Sequence, residues 1–304
     1  MHLYLPIAGV SINLFLVIAI GAGIGFLSGM VGVGGGFLLT PVLMMIGIPP
    51  TVAAASGTCA LVGTSSSGTA AHFRLGNVDL RMGIILLLGG LSGAAVGVRI
   101  IKLLRELGSA DFTITITYVL VLGSVGSFMF VESLQSLRRG MMTRETSNPM
   151  QKGALLRKLP FQMNFPCSNV THSVFVPFVL CALVGVLAAI MGVGGGFIMV
   201  PMMIYLLRMP MHVAVGTDLF QIVFTCAGVT LMQATANHTV DVVLALIVAV
   251  GSTVGAQLGA RMARLLRGDQ LKIVLASIVL ATTVKISIGL FVRPDSLLSY
   301  VTGK

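Results

Sequence analysis

One phrase of six residues occurs twice in the chain and limits its fold more than any other feature. Gly32-Val33-Gly34-Gly35-Gly36-Phe37 returns as Gly192-Val193-Gly194-Gly195-Gly196-Phe197, and a proline follows the last glycine of each copy by five residues. Three adjacent glycines cost a helix roughly 1 kcal/mol each relative to alanine. The sequence therefore predicts a helix break at both copies.

The composition is typical of an integral membrane protein. Hydrophobic residues make up 56% of the chain and charged residues 9%, and the mean hydropathy is +1.02. We therefore expect the lipid bilayer to surround the protein, and we read the net charge of +10 as basic cytoplasmic loops, with no nucleic acid as partner. The four cysteines form no CxxC motif, so neither a metal site nor a disulfide framework is indicated, and no cofactor is predicted.

The chain also contains an internal duplication. Eight apolar stretches form two groups of four, at 12–48, 52–73, 80–101, 112–131, 174–207, 212–235, 240–263 and 273–292. The glycine phrases repeat at an offset of 160 residues, and the run Gly93–Arg99 returns at an offset of 162 as Gly255–Arg261. The sequence predicts an all-α polytopic membrane protein with transmembrane repeats at 1–131 and 173–304, joined by a basic cytoplasmic linker at 132–172.

The first apolar stretch is too long for one crossing. Residues 12–48 would form a helix of about 55 Å, nearly twice a hydrocarbon core of about 30 Å. We expect the chain to fold back at the glycines, either as a re-entrant hairpin or as two short crossings, with three transmembrane helices after it. Each repeat then crosses an odd number of times, so the two repeats are inverted.

The basic residues favour this topology. In the fold-back arrangement, 13 Lys and Arg residues fall on the side of the linker and 5 on the other, whereas one crossing per stretch would divide them 10 against 8. Because basic loops stay in the cytoplasm, we place the linker there and both termini outside.

The broken helices are candidate anion sites. A half-helix that begins at each break presents free N–H groups and about half a positive charge. The predicted substrate-binding residues at the breaks are Gly34, Gly35, Gly36, Phe37, Gly194, Gly195, Gly196 and Phe197. The alternative is that these glycines only allow helices to pack closely.

Polar residues in the apolar stretches extend the candidate site. Four hydroxyl residues that recur at equivalent positions of the two repeats, and one amide residue, are predicted to contact substrate: Ser56, Thr64, Thr217, Thr225 and Gln221. Asp218 is the one carboxylate deep in a predicted span, which favours a proton site over a structural hydrogen bond. Lys285 could extend to the interface, pair with Asp218 or balance substrate charge, whereas Arg99 and Arg261 are interpreted as lipid head-group anchors.

Several of these motifs together resemble a known family. The two GVGGGF-x₃-P phrases, the run Ala214–Leu219 and the run His72–Asp79 resemble the sulfite exporter TauE/SafE family of membrane permeases. The resemblance implies a bacterial inner-membrane transporter of sulfite, sulfonates and related anions that works without ATP. The runs Ala53–Thr58 and Ala236–Asp241 depart from the family pattern, so the resemblance supports anion transport more firmly than any one substrate.

Together these features predict a secondary transporter of a small anion, sulfite or a short organosulfonate. The direction predicted is export, with Asp218 as the candidate proton carrier for coupled transport. An anion channel is the main alternative, because pores also use helix dipoles. An intramembrane enzyme is disfavoured, because no nucleophile with a base or metal is apparent, and assembly as a homodimer stays open.

Overall fold

The helices and strands occur in the same order in each half of the chain. The computed structural model describes residues 2–31, 34–139, 162–165, 167–168, 170–262 and 268–292. The elements of the first half are β1 (His2–Leu5), β2 (Val10–Asn13), α1 (Leu14–Val31), α2 (Gly36–Met45), α3 (Pro50–Arg74), α4 (Leu80–Glu106) and α5 (Ala110–Arg139). Those of the second half are β3 (Gln162–Phe165), β4 (Val170–Ser173), α6 (Phe175–Met191), α7 (Gly196–Tyr205), α8 (Met211–Ala236), α9 (Val242–Met262) and α10 (Gly268–Val292).

Both predicted helix breaks are present. α1 ends at Val31 and α2 begins at Gly36, while α6 ends at Met191 and α7 begins at Gly196. The glycines at the break take left-handed backbone angles, with φ of +79° and +65° at Gly34 and Gly35 and +74° and +83° at their equivalents. Only glycine adopts this conformation without strain.

The two halves are interlocked, because the first helix of each half packs along the fourth helix of the other. α1 runs parallel to α9, and α4 runs parallel to α6. Their backbones touch at glycines: a methyl group at Gly25 would lie 2.1 Å from the Ser252 carbonyl oxygen, and one at Gly93 would lie 1.9 Å from that of Ala182. No side chain fits at either position.

Equivalent helices of the two halves run antiparallel where they touch. In the pair α5 and α10, Gly123 faces Thr283 and Gly126 faces Val279. In the pair α3 and α8, Leu61 packs against Ile222 and Cys226, whereas the later residue Gly68 packs against the earlier residue Leu219.

The chain is a polytopic helical membrane protein, as predicted. Among the residues that the structure describes, four apolar segments are long enough to cross a bilayer: Leu80–Glu106, Ala110–Phe128, Met211–Ala236 and Val242–Gly259. α1, α2, α6, α7 and the Ser277–Gly289 part of α10 are shorter apolar helices. α3 has 25 residues but carries eight Ser and Thr side chains, so it is the most hydroxylated of the long helices.

The structure adds two hairpins that the all-α prediction lacks. β1 pairs with β2 and β3 with β4, each as a two-stranded antiparallel sheet before the first helix of its half. The second hairpin lies in the predicted linker apart from its last residue, Ser173, and the last part of α5, which reaches Arg139, lies there too. The rest of that linker is outside the described residues, and its cytoplasmic location stays a prediction.

The glycine contact between α1 and α9 predicts a difference between two neighbouring substitutions. Gly25→Ala would place its methyl group against the Ser252 backbone, whereas the space around a methyl group at Gly23 is open to 4 Å. We expect Gly25→Ala to lower the free energy of unfolding by about 1–3 kcal/mol, as overpacking does, and Gly23→Ala to be neutral or stabilising, because alanine favours helix. Thermal unfolding of the purified variants in detergent measures this, and equal shifts for both would contradict the parallel α1–α9 contact.

Candidate functional site

The two helix breaks meet inside the protein. A methyl group at Gly36 would lie 2.7 Å from the Val193 carbonyl oxygen. The rings of Phe37 and Phe197 stack with centroids 5.7 Å apart and planes 28° from parallel. Residues 34–37 and 192–197 are all buried. Two half-helices therefore begin side by side in the interior.

The start of α7 presents unpaired amides. Gly195 is its N-cap and supplies no side chain to bond the first turn. Within the described part of the chain, the N–H groups of Gly196 and Phe197 have no hydrogen-bond acceptor. Such N–H groups and the positive end of the helix dipole together attract an anion.

Two equivalent apolar side chains lie against the breaks. A methyl group at Gly34 would lie 3.3 Å from Ile222 Cδ1, and one at Gly194 would lie 3.1 Å from Ile222 Cγ2 and 3.4 Å from Leu61 Cδ1. Leu61 and Ile222 are both buried. In this conformation they fill the space beside the glycines that an anion would need.

A cavity of about 280 Å³ reaches the first break from the surface. It is lined by Ser28, Gly29, Gly34, Thr64, Ser67, Gly68, Ala71, His72, Leu219, Ala256, Gln257 and Arg261. Gly34 is buried whereas Ala71 and Arg261 are exposed, so the cavity runs from the ends of α3 and α9 inward. The described residues of the lining include an arginine, a histidine, hydroxyls and an amide but no carboxylate, and this composition suits an anion.

Of the predicted site residues, Gly34 and Thr64 line this cavity and the others do not. Five cavity-lining polar residues were not among the predicted site residues: Ser28, Ser67, His72, Gln257 and Arg261. Gln257 and Arg261 lie one helical turn apart within the repeated Gly255–Arg261 run, which is the signal that could have indicated them.

Ser56 and Thr217 occupy equivalent positions in cross-half hydrogen bonds. The hydroxyl of Ser56 accepts from the N–H of Asp241 at 3.0 Å, and that of Thr217 accepts from the N–H of Asp79 at 3.0 Å. Each of these aspartates caps the next helix, accepting from Leu244 N–H at 3.1 Å and Met82 N–H at 3.2 Å respectively. The two hydroxyls thus join the halves, and a role in binding substrate stays a prediction.

The remaining predicted site residues of α8, Asp218, Gln221 and Thr225, are all buried. Gln221 Nε2 donates to Thr225 Oγ1 at 2.9 Å, and both pack on the backbone of α4, since a methyl group at Gly90 would lie within 3.0 Å of each. Asp218 is fully buried, and neither of its oxygens has a hydrogen-bond partner in the described part of the protein. Lys285 is exposed, so the two do not pair in this structure. Among the described residues, no three His, Cys, Asp or Glu side chains come together as a metal site requires.

The counterpart of the cavity in the second half is closed. Thr225 is equivalent to Thr64 and is fully buried, and Gln233 is equivalent to His72 and is 3% exposed. Gln233 Nε2 donates to the Ala189 carbonyl at 3.3 Å, and Gln233 Oε1 accepts from Asn237 at 2.5 Å. The Asn237 carbonyl in turn accepts from Arg105. We call this chain of residues, Ala189, Gln233, Asn237 and Arg105, the amide latch.

Comparisons with known proteins agree with this architecture. A family model described as sulfite exporter TauE/SafE matches residues 17–286. The chain is 26% identical over 259 residues to the probable membrane transporter protein YunE of Bacillus subtilis (strain 168), covering 82% of this chain and 88% of the relative. It is 28% identical over 252 residues to a probable membrane transporter protein of Xylella fastidiosa (strain 9a5c), covering 82% and 85%. No solved structure matches.

The difference between the two entrances predicts different access to two equivalent threonines. Thr64→Cys would place a thiol in the open cavity, whereas Thr225→Cys would place it behind the amide latch. In a Cys167→Ala background, because Cys167 is the exposed native thiol, we expect a water-soluble thiol reagent to modify the first variant rapidly and the second slowly. Labelling rates corrected for the parent protein measure this. Equal rates would contradict a one-sided cavity.

Proposed function

Because the chain belongs to the sulfite exporter TauE/SafE family, we propose that it is a secondary transporter that exports a small anion across the bacterial inner membrane. The family is one of membrane transporters, so the protein is not an enzyme. The substrate we propose is sulfite or a short organosulfonate. The observation that carries the proposal is the buried meeting of two glycine breaks, one of which is reached by a cavity whose described lining residues include no carboxylate.

We place the two halves in the bilayer as inverted repeats. Equivalent helices run antiparallel where they meet, which is expected for two units of opposite orientation. α2 and α7 have ten residues each, or about 15 Å of helix, half of a hydrocarbon core of about 30 Å. This length supports re-entrant hairpins over two full crossings.

The open end of the cavity supports export. His72 and Arg261 lie there, and Arg74 ends the same helix as His72. Basic residues favour the cytoplasmic side, so the cavity is proposed to face the cytoplasm. An anion would then enter from inside the cell and reach Gly34, while the amide latch closes the opposite entrance.

The transport step is a change from this arrangement to one in which the first entrance is closed and the second is open. The anion reaches the paired half-helix starts once Leu61 and Ile222 move aside, and the unpaired amides of Gly196 and Phe197 bind it. The first cavity then closes around α3 as the latch on α8 opens. A channel would need both entrances open together, and this structure has one closed.

Sulfite flux in proteoliposomes tests the proposal by comparing a substitution at one glycine of the second break with a matched control substitution elsewhere. Gly195 and Gly76 both have left-handed backbone angles, with φ of +83° and +71°, but only a methyl group at Gly195 meets another atom, Val184 Cγ1 at 2.5 Å. We expect Gly195→Ala to lower sulfite flux at least about tenfold, which corresponds to about 1.4 kcal/mol, because the start of α7 must shift. Gly76→Ala should keep most of the flux.

Three results of this assay would contradict the proposal. If vesicles that contain the wild-type protein show no sulfite or sulfonate flux, the proposed substrate class is wrong. If the two variants transport sulfite equally fast and both are monodisperse on size exclusion, the glycine breaks are not the binding site. Conductance without saturable counterflow would favour the channel.

Asp218 is the proposed carrier of a coupled proton. A carboxylate that is buried without a hydrogen-bond partner inside a membrane helix is costly, and such residues mark ion and proton pathways. We expect Asp218→Asn to abolish the response of sulfite flux to an imposed pH gradient while sulfite exchange at equal pH persists, because asparagine binds no proton. The control is Asp111→Asn, since Asp111 is an exposed carboxylate at the start of α5. Wild-type flux that ignores the gradient, or an Asp218→Asn variant that follows it, would end the proposal of proton coupling.

A further inference from the structure

We propose that the exposed end of the cavity is an access subsite for a small oxyanion, formed by Arg261, Gln257 and His72 and separate from the glycine breaks. This inference rests on the proposed function and adds residues that bind the anion before it reaches Gly34. Arg261 would bind the negative oxygens as the main ligand. The other two side chains would complete the hydrogen bonding.

The three side chains converge from two helices on one space. Gln257 and Arg261 are one turn apart on α9, and His72 lies in the last turn of α3. All three line the same cavity. Residues four apart lie on the same helix face, so the amide and the guanidinium point to the same wall. Oxyanions are bound in proteins by this combination of arginine and neutral donors.

Backbone contacts fix the positions of these helices. A methyl group at Gly29 would lie 2.1 Å from the Ala256 carbonyl oxygen, and one at Gly259 would lie 2.0 Å from that of Phe26. α9 is therefore in direct backbone contact with α1 beside Gln257 and Arg261. On the other wall, a methyl group at Gly216 of α8 would lie 3.1 Å from His72 Cβ. A ligand group on rigid helices is held more accurately than one on a loop.

The polar atoms at this end have capacity for a ligand. His72 Nδ1 has no hydrogen-bond partner among the residues described. In the part of the chain that the structure describes, Arg261 makes no ion pair. An unpaired cation beside a cavity without carboxylates attracts anions.

A free anion suits this subsite better than a lipid phosphate. The polar lining continues inward from Arg261 through Ser67 and Thr64 to Gly34, and a lipid head group with two acyl chains could not follow that path. The volume of about 280 Å³ is slightly smaller than that of ligand pockets for drug-sized molecules, which range from about 300 to 1,000 Å³. The size therefore selects a small solute.

Sulfite binding to the full chain in a non-ionic detergent tests the subsite, with isothermal titration as the measurement. We expect Arg261→Gln to weaken sulfite binding by about tenfold or more, the usual loss for a charge-assisted hydrogen bond. Arg261→Lys should recover part of the affinity, because it restores the charge. The matched control is Arg99→Gln, which removes the same charge at the equivalent position of α4, outside the cavity.

The outcomes separate this inference from the proposed function. If wild-type protein binds and transports sulfite and Arg261→Gln binds it equally well, the access subsite is wrong and the transport function stands. If Arg261→Gln leaves sulfite binding unchanged but removes the stabilisation by added phosphatidylglycerol, Arg261 is a lipid anchor and the inference is overturned. If wild-type protein neither binds nor transports sulfite or ethanesulfonate, both fail.

Discussion

Backbone contact at glycines is the interaction on which the rest of the structure depends. Helices in a bilayer gain little from leaving lipid, so close packing stabilises their association. α1 meets α9 and α4 meets α6 at glycines where a methyl group would lie about 2 Å from a carbonyl oxygen, as at Gly255 and Gly93. Because α1 and α6 lead directly into the two breaks, these contacts also hold the breaks together in the interior.

The sequence predicted the breaks and the duplication because both have local causes. A run of glycines disfavours helix wherever it occurs, and repeated motifs reveal their register without knowledge of contacts. The partners of Ser56 and Thr217 could not be predicted in the same way, because Asp241 and Asp79 lie 185 and 138 residues away. The dipeptide Val-Asp does recur at 78–79 and 240–241 just before an apolar stretch, which is an N-cap pattern.

The hairpins explain why these two aspartates are buried. Asp79 Oδ2 accepts from the N–H and hydroxyl of Ser168 at 3.2 and 2.8 Å, and Asp241 Oδ2 accepts from Ile7 N–H at 3.4 Å. Strands of four residues beside apolar stretches give no clear periodic signal, so the hairpins were missed. Among the described residues, the buried carboxylates thus divide into two that are hydrogen-bonded and join the halves, Asp79 and Asp241, and one without a hydrogen-bond partner, Asp218.

The open and closed entrances arise from sequence differences at equivalent positions. Gln233 has an amide that bonds Ala189 and Asn237, whereas its counterpart His72 has a free Nδ1. A neutral hydrogen bond contributes about 1 kcal/mol net, so the amide latch favours the closed second entrance by only a few kcal/mol. Two states separated by a gap of that size exchange readily. The two halves therefore differ at their ends, with a cavity at the His72 end and a hydrogen-bonded, closed end at Gln233.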